Sequence, residues 1–465
     1  MTFFTPQALP SSFRDPSGFL FRQEEKLYRA VHARYLPHYN KLMSSGLFDE
    51  LVRKGWLIPH QETVPSFDFL NALLPAKLLI PEELPFISYP YEWCFSQMKE
   101  AALLTLNIQS TALQKGLWLK DASAYNIQFM GTKPILIDTL SFETIADKQP
   151  WPAYRQFCGH FLGPLLLMHY RDTRLITLLQ THLDGLPLNM VSRLLPLRSR
   201  FSFGTLLHLH LHAMSEKKLV GKVLAPTTHK KVERSALFGL TDSLKTLVHS
   251  LKPALTPSLW TDYQNSAPYT PMAKKQKKAV IEKWLQQKSP GRVWDLGANT
   301  GEYSRLAKQC NALSVISMDN DLASVEQSYR KMCGEQETTI LPLFMDLSNP
   351  SPSLGFEHQE RDSLMARGPA DTVLALALIH HLSIVGNLPL EKTAAFLSRC
   401  VSKQLIIEFI PKNDPQIQEM LFCRQDVFTD YTERNFETAF KQHFQLADKI
   451  TLPESLRSLY LFVKP

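Results

Sequence analysis

The sequence predicts an α/β protein. A mostly parallel, doubly wound sheet occupies the C-terminal part, behind an α+β region and a helical connector. Three observations carry this reading. From Gly291 onward, short apolar runs alternate with amphipathic helical stretches. The first run, Val293-Trp294-Asp295-Leu296, stops in the glycine-bearing turn Gly297-Ala298-Asn299-Thr300-Gly301 and enters a helix through Ser304-Arg305-Leu306-Ala307. The next two runs each close on an acid, Asp319 and Asp346.

Taken in order, residues 1–18 are rich in Pro, Ser and Phe and read as a surface arm. Residues 19–31 alternate apolar and polar side chains, as a two-stranded hairpin does. Residues 39–52 space their apolar side chains near 3.6 and read as one helix. Strands bounded by proline are expected at 56–59 and 77–81, followed by the aromatic link 88–93 and a long amphipathic helix over 96–115. Further helices are expected at 154–170, 173–183 and 204–215. Within the last, His208, His210 and His212 would share one face only in a strand. In a helix His208 and His212 alone do so, and a metal site would need ligands the sequence does not display.

Between these helices lies Leu119-Lys120-Asp121-Ala122-Ser123-Ala124-Tyr125-Asn126, then a hairpin turning at Gly131, then Pro134-Ile135-Leu136-Ile137-Asp138-Thr139. The order is acid, asparagine five residues later, hairpin, and an acid closing a buried strand. It resembles the catalytic and metal-binding loops of protein kinases and aminoglycoside-phosphotransferase-like enzymes. The resemblance implies a kinase-like domain over residues 1–215. In it Asp121 would act as base toward a hydroxyl, and Asn126 with Asp138 would hold Mg2+ beside ATP. It departs at Leu119, where histidine is usual, and at the lone Gly18, where a glycine-rich loop is usual. It departs again at Arg29, where a phosphate-pairing lysine is usual, and at Thr139, where glycine is usual. Read from the residues alone, Asp121 and Asn126 cap a turn.

Composition bounds the rest. A chain of 465 residues is long enough for two or three domains, and 44% hydrophobic with 20% charged residues describes a globular protein. The six cysteines are scattered without a Cys-x-x-Cys pair, which fits a reducing compartment. The N-terminus lacks the pattern of a signal peptide and no apolar run spans a membrane, so the expectation is a soluble, cytoplasmic protein. The formal charge of +7 is uneven. Residues 216–290 hold fourteen Lys/Arg against five Asp/Glu, a balance of +9, leaving −2 elsewhere. This basic connector reads as a solvated helix surface or as a contact for a polyanion. Its aromatic residues Trp260, Tyr263 and Tyr269 precede a helix expected over 272–287. They either line an acceptor pocket or pack between domains.

In the C-terminal part, strands are expected at 292–295, 313–318, 339–345, 372–378 and 404–410, with a terminal pair at 444–450 and 458–463. A dinucleotide fingerprint would need glycine at 297, 299 and 302, and Asn299 and Glu302 stand there instead. The spacing Asp-x-Gly-x-x-x-Gly is similar to the first motif of class I S-adenosylmethionine (SAM)-dependent methyltransferases. Asn299 takes the place of the usual central glycine and tolerates the left-handed region. The resemblance covers residues 291–465. It implies a Rossmann-like sheet of seven strands, mostly parallel, with a terminal antiparallel hairpin and S-adenosyl-L-methionine as cofactor. Asp295, Gly297, Asn299 and Gly301 would hold the methionine end, Asp319 the ribose, and Asp346 with the backbone of Leu347 the adenine. His380 and His381, just after the fourth strand, would face the acceptor, one acting as base or both shaping the pocket. Each strand-end acid also reads as a cap. No Asn-Pro-Pro-Tyr or Asp-Pro-Pro-Tyr motif follows that strand, so methylation of base amino groups in nucleic acid has no support. Small molecule, protein and RNA stay open as acceptors, the kinase-like half positioning them. The alternatives are a bifunctional phosphotransferase/methyltransferase and a non-catalytic binding scaffold.

Overall fold

The computed structural model describes residues 8–23, 25–63, 75–146, 148–214, 232–254, 269–422 and 426–465. They fall into two compact units, one drawn from 1–254 and 353–361, the other from 255–352 and 362–465. Among the described residues, the stretch expected as a connector at 216–290 supplies one helix to each. Trp260 and Tyr263 lie outside the described residues.

The first unit opens with the expected hairpin, β1 (Gly18–Gln23) paired with β2 (Lys26–Val31) in antiparallel register from Gly18↔Val31 to Gln23↔Lys26. The single helix expected at 39–52 is two, α1 (Leu36–Ser44) and α2 (Leu47–Arg53). Gly46 between them sits at φ 71°, a left-handed conformation that ends one helix and starts the next. The strand expected at 56–59 falls a few residues later, at β3 (His60–Thr63), and Leu57 makes an isolated bridge to Leu136. With β4 (Lys77–Pro81) these strands form an antiparallel sheet in the order β1-β2-β4-β3.

Helix α3 (Phe95–Gln114) starts where Gln97 reaches back to the Cys94 N–H at 2.9 Å, and it is buried along most of its length. Two short antiparallel pairs follow: β5 (Leu117–Leu119) with β8 (Phe142–Thr144), and within that span the hairpin β6 (Ile127–Met130) with β7 (Lys133–Leu136). Helix α4 (Arg234–Ser250) lies along α3, tied by Lys245 Nζ to Ser110 Oγ at 2.7 Å.

His208, His210 and His212 are engaged by neighbouring side chains of this unit. His208 binds Tyr154 Oη at 3.0 Å and Ser243 Oγ at 2.8 Å, and His210 bridges Ser192 and Ser199 at 2.8 and 2.9 Å. His212 stacks on Tyr154. Among the described residues no cluster of three His, Cys, Asp or Glu could hold a metal ion. The segment 353–361 also belongs to this unit. Glu360 takes a forked ion pair from Arg14, and the Arg361 guanidinium lies 4.3 Å from the centre of the Tyr125 ring.

The second unit is built on seven strands: β9 (Arg292–Leu296), β10 (Ser314–Asp319), β11 (Ile340–Phe344), β12 (Ala370–Ala375), β13 (Val401–Phe409), β14 (Gln445–Thr451) and β15 (Ser458–Val463). Their order is β11-β10-β9-β12-β13-β15-β14. The first five are parallel, and β15 runs antiparallel to both β13 and β14. The expected seven-stranded sheet with an antiparallel terminal pair is therefore present. The order reverses between β9 and β12, and a doubly wound sheet collects ligands outside the carboxyl ends of its strands at that point.

Helix α5 (Pro271–Gln287) covers one face, where Ala273, Ile281, Trp284 and Leu285 are fully buried against Val293, Val315, Ile340 and Ile406. Burying side chains of this size stabilises by about 1.5–3 kcal/mol each, and this packing fixes α5 over the switch point. Among the described residues no helix is long and apolar enough to cross a membrane.

Candidate functional site

The turn after β9 holds three residues in left-handed conformation, Gly297 at φ 73°, Asn299 at φ 49° and Gly301 at φ 76°. A side chain at Gly297 would bring Cβ within 3.3 Å of Leu378 Cδ1, and one at Gly301 within 3.0 Å of both Met332 Cε and Ser328 Oγ. The two glycines meet a conformational and a spatial demand together. The turn is stitched to the end of β10. Gly297 and Ala298 donate to the Met318 carbonyl at 2.9 and 3.0 Å, and the Asn299 N–H donates to Asp319 Oδ2 at 2.7 Å. Helix α6 (Glu302–Gln309) starts directly at Gly301, and its Ser304 hydroxyl donates to Asp295 Oδ2 at 2.6 Å.

Asp295 and Asp319 are both pushed up to about 6, chiefly by burial. The charge of Asp319 adds to the effect on Asp295. The sequence-predicted residues Asp295, Gly297, Asn299, Gly301 and Asp319 thus form one connected group. Asp346 follows β11, the neighbour of β10, and its Oδ1 accepts from the Ser348 N–H at 2.9 Å and hydroxyl at 2.6 Å. Leu347 beside it is nearly buried.

Beyond β12 the chain turns through Ala377, a non-glycine residue at φ 49°. Its N–H donates to Glu408 Oε2 at 2.9 Å, which holds that conformation in place. His380 follows, fully buried, with neither ring nitrogen bonded among the described residues. Its ring lies 4.1 Å from that of His381. Burial holds His380 well below the ordinary imidazole range, and His381, Arg457 and Lys277 depress it further. Burial also lowers His381, to about 4.

Sequence reasoning missed the charged cluster beside His380. Lys277 of α5 is buried and donates to Glu408 Oε2 at 2.8 Å and to Tyr269 Oη at 2.9 Å. Tyr269 in turn donates to Glu408 Oε1 at 2.8 Å. Arg457, just before β15, is fully buried and pairs with Asp414 through Nε at 2.8 Å and Nη2 at 3.0 Å, while its guanidinium covers the Tyr269 ring at 4.5 Å. Arg457 Nη1 is buried without a partner among the described residues. Two signals for the cluster were available. Lys277 stands on the apolar face of its helix with Ala273, Val280, Ile281 and Trp284, and Glu408 interrupts an apolar strand.

In the first unit, Asp121, Asn126 and Asp138 also come together. Asp121 is hydrogen-bonded by Asn126 and by the Ser123 N–H at 2.9 Å; burial raises it, and the charge of Asp138 adds to this. Asn126 donates to Ser141 Oγ at 3.2 Å, and that hydroxyl donates to Asp138 Oδ2 at 2.5 Å. Asp138 is ion-paired with Arg29 of β2. Burial works to raise Asp138, and Arg29 with these hydrogen bonds outweighs it, leaving the carboxyl lowered.

No family model matches the chain. Among solved structures it is similar to magnesium protoporphyrin IX methyltransferase (ChlM) from Synechocystis PCC 6803 with bound SAH, at 20% identity and a TM-score of 0.31, over 42% of this chain and 84% of that one. It is also similar to the N-methyltransferase NodS from Bradyrhizobium japonicum WM9 in complex with S-adenosyl-L-homocysteine, at 7% identity and a TM-score of 0.31, over 43% of this chain and 91% of that one. Along nearly its whole length it is similar to the nodulation protein NoeA of Rhizobium meliloti (strain 1021), 33% identical over 461 residues that span 98% of this chain and 96% of that protein. The chain belongs to the family of the nodulation protein NoeA.

Proposed function

We propose that the second unit is a SAM-dependent methyltransferase. The observation that carries this is the turn at 297–301, whose left-handed residues and absent side chains leave a cradle at the switch point, closed on one side by Asp319. The donor set suits the cofactor. The 297–301 turn and Asp295 would hold the methionine end, Asp319 would accept from the ribose hydroxyls, and Asp346 with the Leu347 backbone would meet the adenine. Bound SAM supplies an activated methyl group. This chain's residues hold the donor and acceptor in line, exclude water, and take the acceptor's proton. Of the two histidines we assign that last role to His380, whose ring nitrogens are buried without a partner among the described residues.

We further propose a kinase-like fold for residues 1–215, with that unit positioning the acceptor. Asp121, Asn126 and Asp138 do not fit Mg2+ in this arrangement, because the Asp138 carboxylate is already engaged by Arg29, Ser141 and the Leu140 N–H. Phosphoryl transfer is therefore not proposed. Isothermal calorimetry with S-adenosylhomocysteine (SAH) tests the methyltransferase reading. The full chain should bind, and Asp319→Ala should lose about tenfold or more in affinity, since a hydrogen bond to a charged group contributes about 1.5–3 kcal/mol. A wild-type chain that does not bind sinks the reading.

A further inference from the structure

The buried polar atoms around His380 point to the chemistry of the acceptor. A fully buried side-chain nitrogen without a partner costs about 1–3 kcal/mol, so each one calls for an explanation. Three belong to residues at the same end of the sheet, where Arg457 acts electrostatically on His380: Nδ1 and Nε2 of His380, and Nη1 of Arg457. His380 follows the carboxyl end of β12. Arg457 precedes Ser458, which pairs with Phe409 at the carboxyl end of β13. Both are tied to the Tyr269–Lys277–Glu408 group, Arg457 by covering the Tyr269 ring and His380 through the turn that Glu408 holds at Ala377.

Resting on the methyltransferase reading, we propose that His380 and Arg457 Nη1 meet the methyl acceptor and that the acceptor presents an uncharged hydroxyl, so that the product is a methyl ether.

Charge balance selects this class. Lys277 is matched by Glu408 and Arg457 by Asp414, so the cluster is neutral before anything binds. An amine attacks through its single lone pair, which leaves none to accept from Nη1. A carboxylate would need no base, and it would leave a matched Arg–Asp pair facing a second anion. A hydroxyl satisfies both groups. Its oxygen accepts from Nη1, and its proton goes to a His380 nitrogen. As the oxygen lone pair forms the bond to the methyl carbon, the carbon–sulfur bond breaks and its electron pair stays on sulfur, which leaves as a neutral thioether. The imidazolium so formed lies near Arg457 and Lys277 and returns its proton to solvent.

The test incubates the full chain with methyl-tritiated SAM, using clarified cell lysate and, separately, a panel of simple alcohols and phenols as probes. The label should resist mild alkali and be released as methyl iodide by hot hydriodic acid, the behaviour of an ether. Release as methanol in alkali marks an ester, and resistance to hydriodic acid marks an amine. Either result overturns the proposal, as does a chain that binds SAH yet labels neither lysate nor probe. His380→Gln should lower labelling by about 10²–10⁴-fold. Arg457→Lys, which keeps the charge beside Asp414 but loses the planar fork, should lower it by about tenfold. Both variants should keep their calorimetric SAH affinity within about threefold, since neither residue is assigned to the cofactor. SAH binding by the wild type with the wrong bond chemistry overturns the hydroxyl assignment alone, whereas absence of binding overturns the methyltransferase reading beneath it.

Discussion

Replacing Lys277 with methionine tests whether the buried ion pair organises the second unit. Lys277 and Glu408 have side-chain exposures of 4% and 0%, and their charged atoms are 2.8 Å apart. Methionine fills similar space on the apolar face of α5, so little packing is lost. What is lost is the cation. Glu408 is left with the Ala377 N–H, the Tyr269 hydroxyl and the electrostatic influence of Arg457. Removing one partner of a buried pair costs about 3–5 kcal/mol. For a unit of this size each kcal/mol lowers Tm by about 2–4 °C, so the expected drop is about 6–20 °C. Adding Glu408→Gln should restore most of it. The glutamine carbonyl can accept from Ala377 and its amide can donate to Tyr269, which no longer serves Lys277. Calorimetric melts of wild type, both single variants and the double variant give the coupling energy directly. A drop below about 3 °C for Lys277→Met, or a double variant no more stable than the singles, refutes the reasoning.

Other outcomes follow from the same geometry. Gly301→Val places a branched side chain at φ 76° against Met332 and Ser328, and should cost about 1–3 kcal/mol and abolish SAH binding in calorimetry. Asp319 titrates near 6 when folded, above its unfolded value of about 3.9, so the folded chain binds that proton more tightly. Stability from this group is therefore present at about pH 4 and lost as pH rises to about 6. The Tm of Asp319→Asn relative to wild type should rise across that window and level off above it, and a pH-independent difference would refute the assignment. In the first unit, Arg29→Ala leaves the half-buried Asp138 carboxylate without its cation and should cost about 1–3 kcal/mol in a denaturant melt. An unchanged midpoint would show that the pair contributes nothing.

Much of the second unit was legible because its signals are local. The run ending at Asp295 lies directly before the glycines it serves, and each parallel strand is an apolar stretch bounded by a turn. Asp319 was legible for the same reason, although its bond to the Asn299 N–H joins residues of adjacent strands. The Lys277–Glu408 and Arg457–Asp414 pairs were not, because their partners are distant in sequence and each charge alone resembles an exposed residue. In the first unit, a 3.6-residue period cannot reveal that Gly46 turns left-handed, so two helices read as one. Arg29 illustrates the opposite limit. Its place on β2 was legible, but not that its guanidinium would be spent on Asp138.

The segment 353–361 lies between β11 and β12 in sequence yet belongs to the first unit, where Glu360 grips Arg14 and Arg361 covers Tyr125. During synthesis the first unit therefore lacks one of its pieces until about a hundred residues beyond its main body have been made, well into the strands of the second. No single cut in the chain yields both units whole. A fragment ending near residue 254 is expected to leave Arg14 unpaired and the Tyr125 ring uncovered, and a fragment beginning there carries an orphaned loop. Ordered, unit-by-unit folding from the ribosome gives way here to late completion of the first unit, and any dissection of the two units has to be done by substitution rather than by truncation.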